Sequence, residues 1–137
     1  MAERRADPVE QRRPSELHLG PNEVLRFLLE IAALVAMGIW GWNAFEPPLN
    51  VLAAVGVPLA AAIIWGTFRV PDDPGRAAVP VPGPVRLAIE LAFFAAAVVL
   101  LHAAGQENAA LAMAGLIVLH YALGYQRVEW LLRGGGR

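Results

Sequence analysis

An arginine followed four residues later by a glutamate recurs in two apolar stretches of this chain, as Arg26-Phe27-Leu28-Leu29-Glu30 and as Arg86-Leu87-Ala88-Ile89-Glu90. Side chains at this spacing lie one turn above each other on a helix, so each motif can neutralise itself. Charges inside bilayer-length helices are costly, and are kept for pairing, for a pathway, or for both. A further titratable group, His120, falls near the end of the last apolar stretch. Helical rise places Glu30 and Glu90 about 8–9 Å, and His120 about 7–8 Å, in from the same side. Two carboxylates and a histidine at one level form a candidate proton relay, because histidine titrates near neutrality. The competing reading, which is favoured, is a static hydrogen-bonded layer of Arg26, Glu30, Arg86, Glu90 and His120 that specifies how the helices pack. Arg26 can pair with Glu30 and Arg86 with Glu90 within their helices, or Arg26 with Glu90 and Arg86 with Glu30 between them. Spacing alone leaves both arrangements open.

The elements that must carry these groups follow from composition. The 137 residues are 57% hydrophobic and 17% charged, with a mean hydropathy of +0.49. Soluble domains are typically about 45–50% apolar and about 25% charged. The excess lies in four runs, residues 24–42, 48–68, 85–103 and 109–125. Each approaches the roughly 17–25 apolar residues of a spanning helix, the last one narrowly. A soluble bundle would instead carry a polar face along every helix. The expected fold is therefore all-α, a bundle of four transmembrane helices. A polar tail covers residues 1–21, the membrane domain 22–132, and a flexible glycine tail 133–137.

Charge placement sets the expected orientation. All eleven basic residues are arginine, and they fall in the two termini, in the loop between the second and third runs, or at helix ends facing those segments. The short connections near residues 43–47 and 104–108 carry Glu46 and Glu107 but no base. Short arginine-bearing segments stay on the cytoplasmic side during insertion. Both termini are expected there, in a multi-pass protein of the bacterial inner (plasma) membrane. The first run is not expected to be a cleaved leader, since it is too long, a polar segment precedes it and three further runs follow.

Local signals fill in the rest. Asn22 and Asn108 read as caps of the first and fourth helices. Pro58 is expected to kink the second. Residues 69–84 hold Pro71, Pro74, Pro80, Pro82 and Pro84, and read as an extended loop. Trp40 and Trp42 fit an outer aromatic belt, and Trp65, Phe68, Tyr121, Tyr125 and Trp130 an inner one. His102 is expected at the outer interface. Small-residue stripes, Ala88-Ala92-Ala96, Ala32-Ala36 and Ala110-Ala114, would let helices approach closely. The two Arg-x-x-x-Glu motifs, each opening a helical hairpin from the same side, suggest a parallel duplication of one hairpin.

The chain has no cysteine, which removes thiolate metal sites and thiol catalysis. No phosphate-binding glycine loop, nucleophile elbow or zinc motif is present. No enzymatic activity and no cofactor are expected, and a net charge of −1 points to no nucleic acid partner. The partners expected are the lipid bilayer and either further copies of the chain or another membrane protein.

The segments Leu25–Trp42 (LRFLLEIAAL…GIWGW), Pro58–Pro74 (PLAAAIIWGTFRVPDDP) and Pro84–Phe94 (PVRLAIELAFF), with Leu119-His120-Tyr121, resemble the YrdB-like family of small bacterial inner-membrane proteins. The resemblance covers residues 22–125 and implies four membrane helices, with no assigned activity, cofactor or catalytic residue. The leading functional expectation is a structural or accessory membrane protein acting through helix–helix assembly. The alternative is a small oligomeric proton-coupled transporter or channel using Glu30, Glu90 and His120. A third option is a membrane-anchored binding protein acting through its arginine-bearing N-terminal tail.

Overall fold

The computed structural model describes residues 20–70 and 78–134. The N-terminal polar tail, the middle of the proline-rich loop and the last glycines lie outside the described residues, together with the readings made for them. Among the described residues five helices dominate: α1 Pro21–Ala44, α2 Leu49–Thr67, α3 Gly83–Ala103, α4 Glu107–Leu123 and α5 Tyr125–Leu132. Two short strands, β1 Phe68–Arg69 and β2 Val79–Pro80, pair in parallel between α2 and α3. The proline-rich loop is thus anchored at both ends, reinforced by the Val81 N–H donating to the Arg69 carbonyl at 2.9 Å.

Three helices, α1, α2 and α3, are each long and apolar enough to cross a membrane, and α4 with α5 qualifies only as a bent pair. Their outer surfaces are apolar. Phe27, Leu28 and Val35 on α1, Leu52 and Leu59 on α2, Val99 on α3, and Leu111 and Val118 on α4 are all exposed. Water tolerates contiguous apolar surface on this scale poorly. A hydrocarbon surround would match it, and the apolar helices are compatible with a membrane protein.

The core lies where α1 and α3 meet, with α2 packed on α1 and α4 against both. Leu29, Ala33, Ala36 and Met37 of α1 interlock with Phe93, Phe94, Ala97 and Leu101 of α3, Trp65 of α2, and Ala110 and Met113 of α4. The α1–α2 crossing depends on missing side chains. A Cβ on Gly41 would stand 2.5 Å from the Ala53 carbonyl carbon, and one on Gly38 would stand 3.2 Å from the Ala54 carbonyl oxygen. Of the small-residue stripes, Ala36 and Ala110 are buried, whereas Ala88, Ala92 and Ala96 are all exposed on the outside of α3.

Several local expectations change in the folded chain. α1 begins at Pro21 after Gly20, with Asn22 inside its first turn rather than at the cap. α4 begins at Glu107, with no side-chain cap from Asn108. The helix expected over 109–125 stops at Leu123, and α5 leaves at 71° to it. Gly124 occupies the corner because the Asn22 amide nitrogen takes the space a side chain would need, 2.8 Å from the position of a Cβ. Trp130 consequently belongs to a separate helix rather than to the end of α4. A second small cluster of Val70, Leu87 and Leu131 sits under this corner, where Gly83 lets the start of α3 rest directly on the backbone of Leu131.

Candidate functional site

The start of α3 carries Arg86 and Glu90 one turn apart, and both are 1% exposed. Glu90 is the hub. Its Oε1 accepts from Arg127 Nη2 at 2.8 Å, from Arg26 Nη2 at 3.2 Å and from Arg86 Nε at 3.2 Å. Its Oε2 accepts from Arg127 Nη1 at 3.0 Å and from the Tyr121 hydroxyl at 3.1 Å. Four elements, α1, α3, α4 and α5, therefore converge on one carboxylate. Arg127 grips it with two nitrogens, the bidentate arrangement that gives guanidinium–carboxylate pairs both strength and direction.

Arg86 reaches the other way. Its Nη1 donates to the carbonyls of Trp65 and Phe68, each at 2.7 Å. Trp65 lies in the last turn of α2 and Phe68 is its C-cap, where carbonyls lack helical partners and the helix dipole is negative, so a buried cation is well placed. The guanidinium carbon also stands 4.2 Å from the Trp65 ring centroid, and that of Arg26 stands 5.7 Å from it. Such stacking favours a cation over an aromatic face. Trp65 is itself 8% exposed and packs against Phe93 and Phe94. Its expected place in an aromatic belt is corrected, because two arginines and two phenylalanines enclose it.

Arg26 bridges the two motifs. Its Nε pairs with Glu30 Oε1 at 3.1 Å while its Nη2 reaches Glu90. Both arrangements left open by spacing are therefore partly realised, within each helix and from α1 to α3. The two motifs are unequal: the Glu30 side chain is 23% exposed and the Glu90 side chain 1%. His120, buried on α4, donates from Nδ1 to Asn22 Oδ1 at 2.8 Å. Its ring neighbours that of Tyr121, with centroids 4.9 Å apart. All five residues singled out from the sequence gather at one end of the helices, but His120 ties α4 to α1 through an amide, while Tyr121 makes the bond to Glu90.

The sequence reading missed Arg127, Tyr121 and Asn22 as members of this layer. Tyr121 and Arg127 lie six residues apart across the corner at Gly124, so no single helical face joins them. The available signal was a basic residue just beyond an apolar run, at the depth of two buried acids. Among the described residues, every buried side-chain nitrogen and oxygen has a hydrogen-bond partner. No three His, Asp or Glu side chains among them gather as a metal-binding group.

Apolar helices of spanning length, clasped at one end by a buried arginine–carboxylate layer, make a helical protein compatible with a membrane. Residues 24–118 match a family described as a protein of unknown function (DUF2568), and the chain belongs to it. It is 39% identical over 114 residues to the uncharacterized protein YrdB of Bacillus subtilis (strain 168), covering 81% of this chain and 93% of that protein. No solved structure matches the chain. The matched segment contains Arg26, Glu30, Trp65, Arg86 and Glu90 and stops before His120, Tyr121 and Arg127.

Proposed function

We propose that this is an integral membrane protein with a structural or accessory role, exerted through helix–helix assembly with further copies or another membrane protein. On this reading the four spans form a bundle in the bacterial plasma (inner) membrane with both termini cytoplasmic. The clasped layer of Arg26, Glu30, Arg86, Glu90, His120 and Arg127 lies in the inner leaflet. The two Arg-x-x-x-Glu hairpins are copies of one unit whose environments have diverged.

The observation that carries this reading is the saturation of Glu90. A carboxylate has about four lone-pair sites, and five donor contacts already occupy Glu90. A relay carboxylate must exchange a proton, and a proton on Glu90 would have to displace one of these donors. A network of this kind holds helices in place. Purified protein in proteoliposomes should show no proton flux above empty vesicles, and Glu90→Gln should reduce assembly or folded yield. Flux from the parent protein that Glu90→Gln abolishes, with folding intact, would overturn the reading.

A second reading, a small oligomeric proton-coupled transporter or channel, draws on Glu30. Its side chain is partly exposed and pairs with Arg26, which it shares with Glu90. Loss of flux in Glu30→Gln, without loss of assembly, is the result that would establish it. No catalytic step and no cofactor enter either reading.

A further inference from the structure

The α4–α5 corner leaves a short helix with three distinct sides. Arg127 and Leu131, four apart, face the bundle: Arg127 grips Glu90, and Leu131 is 0% exposed against Val70 and Leu87. Gln126, Glu129 and Arg133, at spacings of three and four, share a second side and are exposed. Tyr125, Val128 and Leu132, again at three and four, share the third. Tyr125 and Leu132 are each 57% exposed, with Val128 partly covered. Val128 leans on the Val70, Leu87 and Leu131 cluster, and the exposed apolar surface of Tyr125 and Leu132 beside it needs an occupant.

The third side borders a groove of about 320 Å³ between α3 and the corner, lined by Leu87, Leu91, Tyr121, Tyr125, Val128 and Glu129. The groove continues the outer apolar surface, since its lining residues Leu91 of α3 and Tyr125 of α5 are both exposed. It also lies at the level of the arginine layer, where the inner headgroups fall on the membrane reading. Tyr125 is of the aromatic type that favours this boundary. A helix with one polar side and one apolar side beds there, its apolar side a few ångströms below the headgroups.

We infer that α5 is a headgroup-level helix whose docking partner is the lipid surface. Tyr125, Val128 and Leu132 rest on the acyl boundary, Gln126, Glu129 and Arg133 face water, and a lipid chain fills the groove beneath the corner. The Arg127–Glu90 clasp folds the helix down, so the buried layer sets not only how the spans pack but also how the chain leaves the bilayer. This rests on the membrane reading proposed above, and its test separates the two.

The chain has no cysteine, so single labels can be introduced without other changes, and all the positions chosen are exposed. Leu132→Cys, Gln126→Cys and, as a lipid-facing control in the far half of α3, Val99→Cys are spin-labelled. The full-length protein is then placed in vesicles of phosphatidylethanolamine and phosphatidylglycerol. Collision with oxygen reports lipid, and collision with a water-soluble nickel chelate reports water. The expected result is a several-fold higher oxygen-to-nickel ratio at 132 than at 126, with 99 higher still. A water-like ratio at 132 with a lipid-like ratio at 99 overturns the lipid docking of α5 and leaves the membrane reading standing. Low collision with both reagents at 132 overturns it in favour of a protein contact. A water-like ratio at 99 overturns the membrane reading, and this inference with it.

Discussion

Arg127 closes two guanidinium nitrogens on Glu90, at 2.8 and 3.0 Å, across thirty-seven residues of chain. The contact joins a short helix after a sharp corner to the first turns of α3. It makes Glu90 the best-shielded acid of the layer. Removing one partner from a buried ion network leaves its fellow charges uncompensated, which is where such networks act most strongly on stability.

The first prediction is an inequality between the two motifs. Glu90→Ala removes the carboxylate that Arg26, Arg86 and Arg127 share in a site where Arg86 is 1% exposed, and should destabilise the protein by about 3–5 kcal/mol. Glu30→Ala removes a partly exposed partner from Arg26, which keeps Glu90, and should cost at most about 1 kcal/mol. Thermal unfolding in detergent, read by circular dichroism, compares them. Equal losses would mean that the two motifs share one environment.

Tyr121 offers a smaller and cleaner perturbation. Tyr121→Phe keeps the ring, including its edge-on contact with Phe94, and deletes only the donor to Glu90 Oε2. Hydrogen bonds to charged groups contribute about 1.5–3 kcal/mol, and the variant should lose stability in that range. A neutral outcome would show that the phenol adds nothing once Arg127 is in place.

Glycines in this chain should separate into those that hold contacts and those that do not. Gly41→Ala gains about 1 kcal/mol of helix propensity but drives a methyl group into the Ala53 backbone, which neither helix can yield without moving apart. The net should be a loss of about 1–3 kcal/mol and a loosened α1–α2 hairpin. Gly56→Ala, with nothing within 4 Å of its added carbon, should be neutral or mildly stabilising. Denaturation midpoints of the two variants settle the sign.

The corner should show coupling between Asn22 and Gly124. Asn22→Ala removes the amide partner of His120, a loss of about 1 kcal/mol. Gly124→Ala pushes on the same amide, 2.8 Å from the new carbon, and should break the same bond. The double variant should therefore lose less than the sum of the singles. Additive losses would place the two residues in separate interactions.

What the amino-acid order determined on its own was local. Apolar runs of spanning length point to helices, which satisfy their backbone internally, and α1, α2 and α3 are helical over nearly the expected residues. The four-residue spacing put Arg26 beside Glu30 and Arg86 beside Glu90 for the same reason, since one helical turn brings them together whatever surrounds them. Counting along the helices also brought Glu30, Glu90 and His120 to one end.

The tertiary structure decided which of two similar motifs became the hub. Nothing local distinguishes Arg26–Glu30 from Arg86–Glu90. Burial distinguishes them, and burial depends on what returns to cover each one. The chain turns at Gly124 and brings Arg127 back over α3, and the end of α2 presents two carbonyls and Trp65 to Arg86. Trp65 and Tyr121 look like interface aromatics in sequence because their composition fits a belt and a core equally well. Asn22 looks like a cap until α4 places His120 against it. Helical periodicity relates residues within one turn or two, while packing joins residues such as Arg127 and Glu90 from different helices. The charged pairs were therefore legible from residue order, and the clasp they form was not.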